Sequence, residues 1–259
     1  MRISSWSVAL ALAVSLSSGG SGSAVAAIER SQEAKIGPAA PQLKQLPPAP
    51  PSTPPPNRTR SGGSLGGDVV CAAGNQNLMA LVPVENPVLT TAERPTLLFY
   101  VPFGAEQVAY GEFSVLIGPQ ETQRLYQTRF RLPAQPGIVS LTLPASSEAL
   151  QENINYHWYF KLYCANLETN LETNPETNAE PQVMQVDGWI QRVALTPERQ
   201  QQIASASPQI WYDALAQVAA GRLSQPQNST LQSQWQLLLE QIGQAELVQK
   251  PLVGAVELE

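Results

Sequence analysis

Seven stretches of the chain, several of them alternating apolar and polar residues with period two, are bounded by proline, glycine or other turn residues: 78–82, 96–101, 112–117, 123–132, 138–143, 155–164 and 185–193. Alternation of this kind predicts strands with one covered face. Within 123–132, Tyr126, Thr128, Phe130 and Leu132 share a face opposite Leu125, Gln127, Arg129 and Arg131. Within 155–164, Tyr156, Trp158, Phe160, Leu162 and Cys164 oppose His157, Tyr159, Lys161 and Tyr163. After Val193 the apolar period becomes helical. Thr196-Pro197 and Ser207-Pro208 read as helix starts. Ile210, Trp211, Ala214, Leu215, Val218 and Leu223 form one stripe; Leu231, Trp235, Leu238, Leu239 and Ile242 form another that ends at Gly243. Short strands followed by helices predict a mainly β fold: an antiparallel β-sandwich of about seven strands with two or three C-terminal α-helices packed on it.

The flanks carry no such period. Residues 1–26 read as a secretory signal peptide. Arg2 is followed by an apolar run from Val8 to Leu16, too short to span a bilayer, and Ala24-Val25-Ala26 is a cleavage site of small residues. Residues 27–67 read as a disordered, proline-rich linker, since Pro47-Pro48, Pro50-Pro51 and Pro54-Pro55-Pro56 favour an extended spacer with no core. One domain is expected over 68–253, with 254–259 a C-terminal tail.

Charge and cysteine usage narrow the function classes. The net charge of −6 argues against nucleic acid as a partner. The linker is nevertheless basic: Arg30, Lys35, Lys44, Arg58 and Arg60 face only Glu29 and Glu33. No apolar run reaches the roughly twenty residues of a membrane helix, so an integral membrane protein is not expected. Two cysteines and one histidine are too few for most zinc or iron–sulfur sites, and no phosphate-cradling glycine loop or haem attachment motif is present. No cofactor and no metal are expected. In an exported chain Cys71 and Cys164 read as one disulfide, with two buried free thiols as the alternative.

Candidate chemistry is sparse. A histidine-dependent triad has only His157 to use, mid-strand and without a glycine-cornered serine, which reads as a sheet-surface histidine. Asp187, near Trp189, and Asp213, beside Trp211 and Tyr212, have the aromatic neighbours that sugar binding uses, and two acids suffice for glycoside hydrolysis. Arg94 and Arg192 are candidate ion-pair partners for these aspartates. The tetrapeptide run Leu167-Glu-Thr-Asn, Leu171-Glu-Thr-Asn, Pro175-Glu-Thr-Asn lacks the alternating acids and glycine of a calcium loop and reads as a solvated insertion.

A set of motifs in fixed order carries a family resemblance: Leu81-Val82-Pro83, Thr91-Ala92-Glu93-Arg94-Pro95-Thr96, Phe99-Tyr100-Val101-Pro102, Pro136-Gly137-Ile138-Val139-Ser140-Leu141, Tyr156-His157-Trp158, Cys164, and Gly188-Trp189-Ile190-Gln191-Arg192-Val193. The chain resembles the exported cyanobacterial family of unknown function called domain of unknown function 928, over roughly residues 57–253. That resemblance implies a cyanobacterial source, export to the periplasm or beyond, and the Cys71–Cys164 pair; it implies no activity. The family's arginine–glycine stretch before the first cysteine is only loosely present, as Arg58-Thr59-Arg60-Ser61-Gly62-Gly63.

The expectation is therefore an exported envelope protein acting as a non-catalytic binding or adaptor module for a protein or glycan. The alternative is a carboxylate-dependent envelope glycan hydrolase, which requires Asp187 and Asp213 to meet in one cleft.

Overall fold

The computed structural model describes residues 54–61, 71, 77–86, 88–165 and 183–259. The strands are β1 (Met79–Ala80), β2 (Leu89–Thr90), β3 (Thr96–Val101), β4 (Val108–Ile117), β5 (Gln123–Arg131), β6 (Gly137–Thr142), β7 (Asn155–Cys164) and β8 (Val183–Arg192). The helices α1 (Pro197–Ala204), α2 (Trp211–Ser224) and α3 (Ser229–Gln241) follow, and then β9 (Leu252–Ala255) and β10 (Glu257–Leu258). One sheet has the order β1-β3-β6-β9 and the other β10-β5-β4-β7-β8-β2. The signal-peptide expectation, the linker outside 54–61, and the tetrapeptide run lie outside the described residues.

The sheets pack face to face through aromatic side chains. Phe99 of β3 stacks on Phe160 of β7 at 4.0 Å and meets Trp158 edge-on at 5.6 Å, while Phe130 of β5 lies 4.8 Å from Phe160. All four rings are essentially inaccessible to water. In β4, Gly111 sits against the Phe130 ring, and a Cβ there would come within 2.1 Å of it. The smaller sheet is covered on both faces. Leu97, Leu98, Phe99, Tyr100 and Val101 are all buried, because the helices lie on the side away from the six-stranded sheet.

Each helix forms for a local reason. Thr196 caps α1 through the Arg199 amide, with Pro197 just inside. Asn228 caps α3 by accepting from the amides of Thr230 and Leu231. A single 3-10 turn at Pro208–Ile210 leads into α2, which buries Trp211, Tyr212, Ala214, Leu215, Val218 and Ala219. Leu223, expected on this stripe, is 53% exposed because it lies in the last turn of α2. Trp211 donates its indole N–H to the Leu81 carbonyl, and the Tyr212 hydroxyl accepts from Trp158 Nε1 at 2.9 Å and donates to the Trp189 carbonyl at 3.1 Å. The N-terminal turn of α2 is thus bonded to both sheets.

The two ends of the described chain close the sandwich. Residues 57–61 run between β8 and β1: the Asp187 amide donates to the Arg58 carbonyl, the Ala80 amide to the Thr59 carbonyl, and the Ser61 amide to the Leu78 carbonyl. On the opposite side, β9 pairs with β6 and the next residues, β10, pair with β5. A single stretch of backbone therefore covers the exposed hydrogen-bonding edges of both sheets at each margin.

The mainly β fold with C-terminal helices and the disulfide are as expected, while other details differ. Ten strands occur among the described residues rather than about seven. The three unforeseen strands have two to four residues each, too short for alternation to register. Pairing is antiparallel except for β2 with β8 and β6 with β9, which are parallel. Residues 57–61, which the proline-rich composition places in the linker, belong to the folded unit, and 254–259 is not a tail but contributes to β9 and β10. The Cys71–Cys164 disulfide is formed and ties the chain ahead of β1 to the end of β7.

Candidate functional site

Sheet register determines what meets on the outer face of the larger sheet. Across β4, β7 and β8 the rows are Leu116–His157–Trp189, Ser114–Tyr159–Asp187 and Glu112–Lys161–Gln185. Diagonal neighbours on one face are within reach of each other's side chains, which brings His157 to Asp187. His157 Nε2 lies 3.2 Å from Asp187 Oδ2, and the ring stacks on Trp189 at 4.2 Å with only 10° between planes.

The second carboxylate comes from the β4–β5 turn. Gly118 reverses the chain at φ +69°, and Glu121 is itself held at φ 51°, a left-handed conformation that costs a non-glycine residue roughly 1–2 kcal/mol. Glu121 thereby reaches back over β7. Its Oε1 hydrogen-bonds His157 Nδ1, and both of its oxygens accept from the Tyr159 hydroxyl at 2.9 Å. The local strain is balanced by these charged and aromatic contacts.

Asp187 is surrounded. Gln185 Nε2 donates to its Oδ1 at 3.2 Å, and Arg58 Nε stands 3.6 Å from the same oxygen. Burial alone would raise its carboxyl, but hydrogen bonds from His157 and Gln185, with the charges of His157 and Arg58, hold it below the ordinary value. Tyr159 is pushed well above the usual phenol range, first by burial, then by its hydrogen bond to Glu121 and the negative charges of Glu121 and Asp187. His157 is 6% exposed and Asp187 8%. His157 is thus not the surface residue expected, because Trp189 covers its ring and Glu121 folds over it.

Behind this cluster, Asn57 Oδ1 accepts from the Trp189 amide at 2.7 Å while its Nδ2 donates to the Pro83 carbonyl. Gly188 leaves the space: a Cβ there would come within 2.5 Å of Trp158 Cζ2 and 2.9 Å of Asn57 Oδ1. Sequence reasoning missed both Asn57 and Glu121. Asn57 lay in a proline-rich stretch, and the only hint of Glu121 was a Gly-Pro turn before it.

The other candidate residues stand elsewhere. Asp213 accepts from the hydroxyls of Thr90 and Thr91, each at 2.6 Å, and from the Thr91 amide, so it fixes α2 to β2. Thr90 pairs with Arg192, five positions along β8 from Asp187, a separation on the order of 16 Å. The two aspartates are not brought together. Arg94 bonds the carbonyls of Pro144 and Ser147, and Arg192 bonds the Leu150 and Thr91 carbonyls along with Glu93. Both arginines thus hold loops through backbone carbonyls and neighbouring glutamates instead of pairing with Asp187 or Asp213. Trp211 and Trp189 are buried, with no ring face free for a sugar.

The family follows from a direct comparison. A model of the Domain of Unknown Function (DUF928) family matches residues 58–252. The chain belongs to that family. The DUF928 match begins within the segment that closes the β8–β1 margin, at Arg58, which contacts Asp187. No curated protein and no solved structure matches the chain.

What can the cluster around His157 do chemically? A general base needs a ring nitrogen free for a substrate or nucleophile. Both nitrogens of His157 face carboxylates, and the neighbouring hydroxyl of Tyr159 bonds Glu121 instead. An inverting glycosidase leaves about 6.5–9.5 Å between its acids for water. Here the imidazole fills the interval between Glu121 and Asp187. Among the described residues no group of His, Cys, Asp and Glu is arranged to hold a metal ion, and no helix is long and apolar enough to cross a membrane.

Beside the cluster lies a polar, aromatic surface. Arg129 sits over the Tyr110 ring at 4.4 Å, and Tyr110 stacks on Tyr163 at 4.4 Å. Lys161 stands 5.8 Å over Tyr159 and 3.7 Å from Glu112. Arg129 is exposed and the other five are part-exposed.

Proposed function

We propose that this protein is an exported, non-catalytic binding module of the cell envelope, and that the outer face of its six-stranded sheet receives a protein partner. One observation carries the reading. Each candidate acid or base, His157, Glu121, Asp187 and Asp213, is engaged by partners within the fold, while Arg129, Tyr110, Tyr163, Tyr159 and Lys161 are pre-stacked on the part-exposed outer face of the sheet. Tyrosine and arginine are the residue types that dominate protein–protein hot spots. Holding them in place beforehand lowers the ordering cost of binding.

Export is supported by the signal-like pattern of residues 1–26 and by the Cys71–Cys164 bridge, since disulfides persist in oxidising compartments. The proline-rich stretch then serves as a spacer between the module and its point of attachment.

The test is retention of residues 27–259 on protein and glycan fractions of the envelope, compared with a Tyr163→Ser, Arg129→Ser variant of unchanged melting temperature. Loss of one retained protein with the variant supports the reading. Retention on protease-treated glycan assigns the face to a carbohydrate instead, and turnover of envelope glycan by the native chain overturns the non-catalytic claim.

A further inference from the structure

The helical layer holds a second polar site, on the side of the smaller sheet. Arg222, in the last turn of α2, lies over the Trp235 ring of α3, 5.2 Å from its centroid. Three donors on these two side chains are buried without an acceptor: Arg222 Nε, Arg222 Nη1 and Trp235 Nε1. A buried donor with no partner costs about 1–3 kcal/mol, more if charged, and native structures rarely leave several together. Burial also pulls the Arg222 guanidinium below its usual value.

Arg222 and Trp235 line one cavity of about 300 Å³, together with Ser229, Gln232, Ser233, Gln236, Val248 and Gln249. The lining has a single charge, which is positive; it has no carboxylate, and five of its side chains are neutral hydrogen-bonding groups. Among the described residues no acidic side chain forms an ion pair with Arg222, although Arg58, Arg60, Arg131 and Arg192 find glutamate or aspartate partners. We propose that this cavity is a binding site for a small oxyanion, a carboxylate or phosphate group, that accepts from Arg222 and the Trp235 indole. The cation–π contact holds the guanidinium in place, and Ser229 and Ser233 of α3 line the same cavity. This site is independent of the sheet face and of any role assigned to it.

Nitrogen-15 NMR of the residue 27–259 protein tests the proposal, with sodium acetate and sodium phosphate titrated separately against sodium chloride at constant ionic strength. The indole resonance lost in Trp235→Phe is the reporter. A saturable shift of that resonance with acetate or phosphate, and not with chloride, is the expected result, and the more effective salt identifies the class. Arg222→Gln should weaken the apparent affinity about tenfold or more. Because that variant also removes packing over Trp235, the conservative Trp235→Phe is read in parallel by melting temperature, where the rise produced by the anion should shrink. Linear shifts that match chloride, or an Arg222→Gln protein that titrates like the native one, overturn the site.

Discussion

Removing residues 54–61 tests the closure of the β8–β1 margin. A chain starting at residue 62 loses the acceptors of three buried amides: Asp187 N–H from Arg58, Ala80 N–H from Thr59, and Trp189 N–H from the Asn57 side chain. At about 1–3 kcal/mol for each orphaned donor, the sum is roughly 3–9 kcal/mol. Water entering the opened edge pulls the cost toward the lower end, about 3–5 kcal/mol, which is still a large fraction of a domain's typical 5–15 kcal/mol. Urea unfolding of residues 62–259 against 54–259 measures the loss, and hydrogen exchange locates it. The amides of Ala80, Asp187 and Trp189 should lose protection while those of β4 keep theirs. Asn57→Ala is the point version and should cost about 2–3 kcal/mol. If the shorter chain is within 1 kcal/mol of the longer and the three amides stay protected, the segment is only a linker and the reasoning fails.

Other expectations rest on separate contacts. Tyr212→Phe strands the Trp158 indole N–H and removes the donor to the Trp189 carbonyl, so about 2–4 kcal/mol of stability should go in urea titrations, against less than about 0.5 for the exposed-site control Gln127→Ala. Reducing Cys71–Cys164, 93 residues apart in sequence, should cost about 4–5 kcal/mol by chain entropy, read as a lower melting temperature in reductant with no change in the Cys71→Ser, Cys164→Ser double variant. The Asp187 carboxyl is held below its unfolded value of about 3.9, so its contribution is present above that pH and is lost as pH falls through the folded value. Asp187→Asn should accordingly flatten the acid limb of the stability curve. Tyr159 is shifted upward, so its contribution is full below about pH 10 and declines as pH rises further; Tyr159→Phe should remove that alkaline decline.

Much of the fold is legible in the alternation of apolar residues, and the exceptions have physical causes. The long strands β5 and β7 bury one face and so alternate. Strand β3 also registers, although Leu97 to Val101 is an unbroken apolar run, because it is covered on both sides. Strands β2, β9 and β10 are held by edge pairing rather than by an apolar face, so no pattern marks them. The candidate site was less legible. His157 looks solvent-facing by strand parity, and only the fold shows Trp189 and Glu121 covering it. Glu121 is placed by a turn conformation, and Asn57 by a contact spanning 132 residues of sequence. Aromatic neighbours made Asp213 look like a sugar-binding acid, whereas Thr90 and Thr91 consume its carboxylate.

The most direct test of the binding account is site-specific photocrosslinking with benzoylphenylalanine at position 163, on the stacked sheet face, and at position 237 on α3, where Leu237 is 63% exposed. Irradiation of each labelled protein in intact envelope should give a discrete adduct from position 163 and none from position 237. An adduct only from position 237, or the same background from both, contradicts a sheet-face binding module.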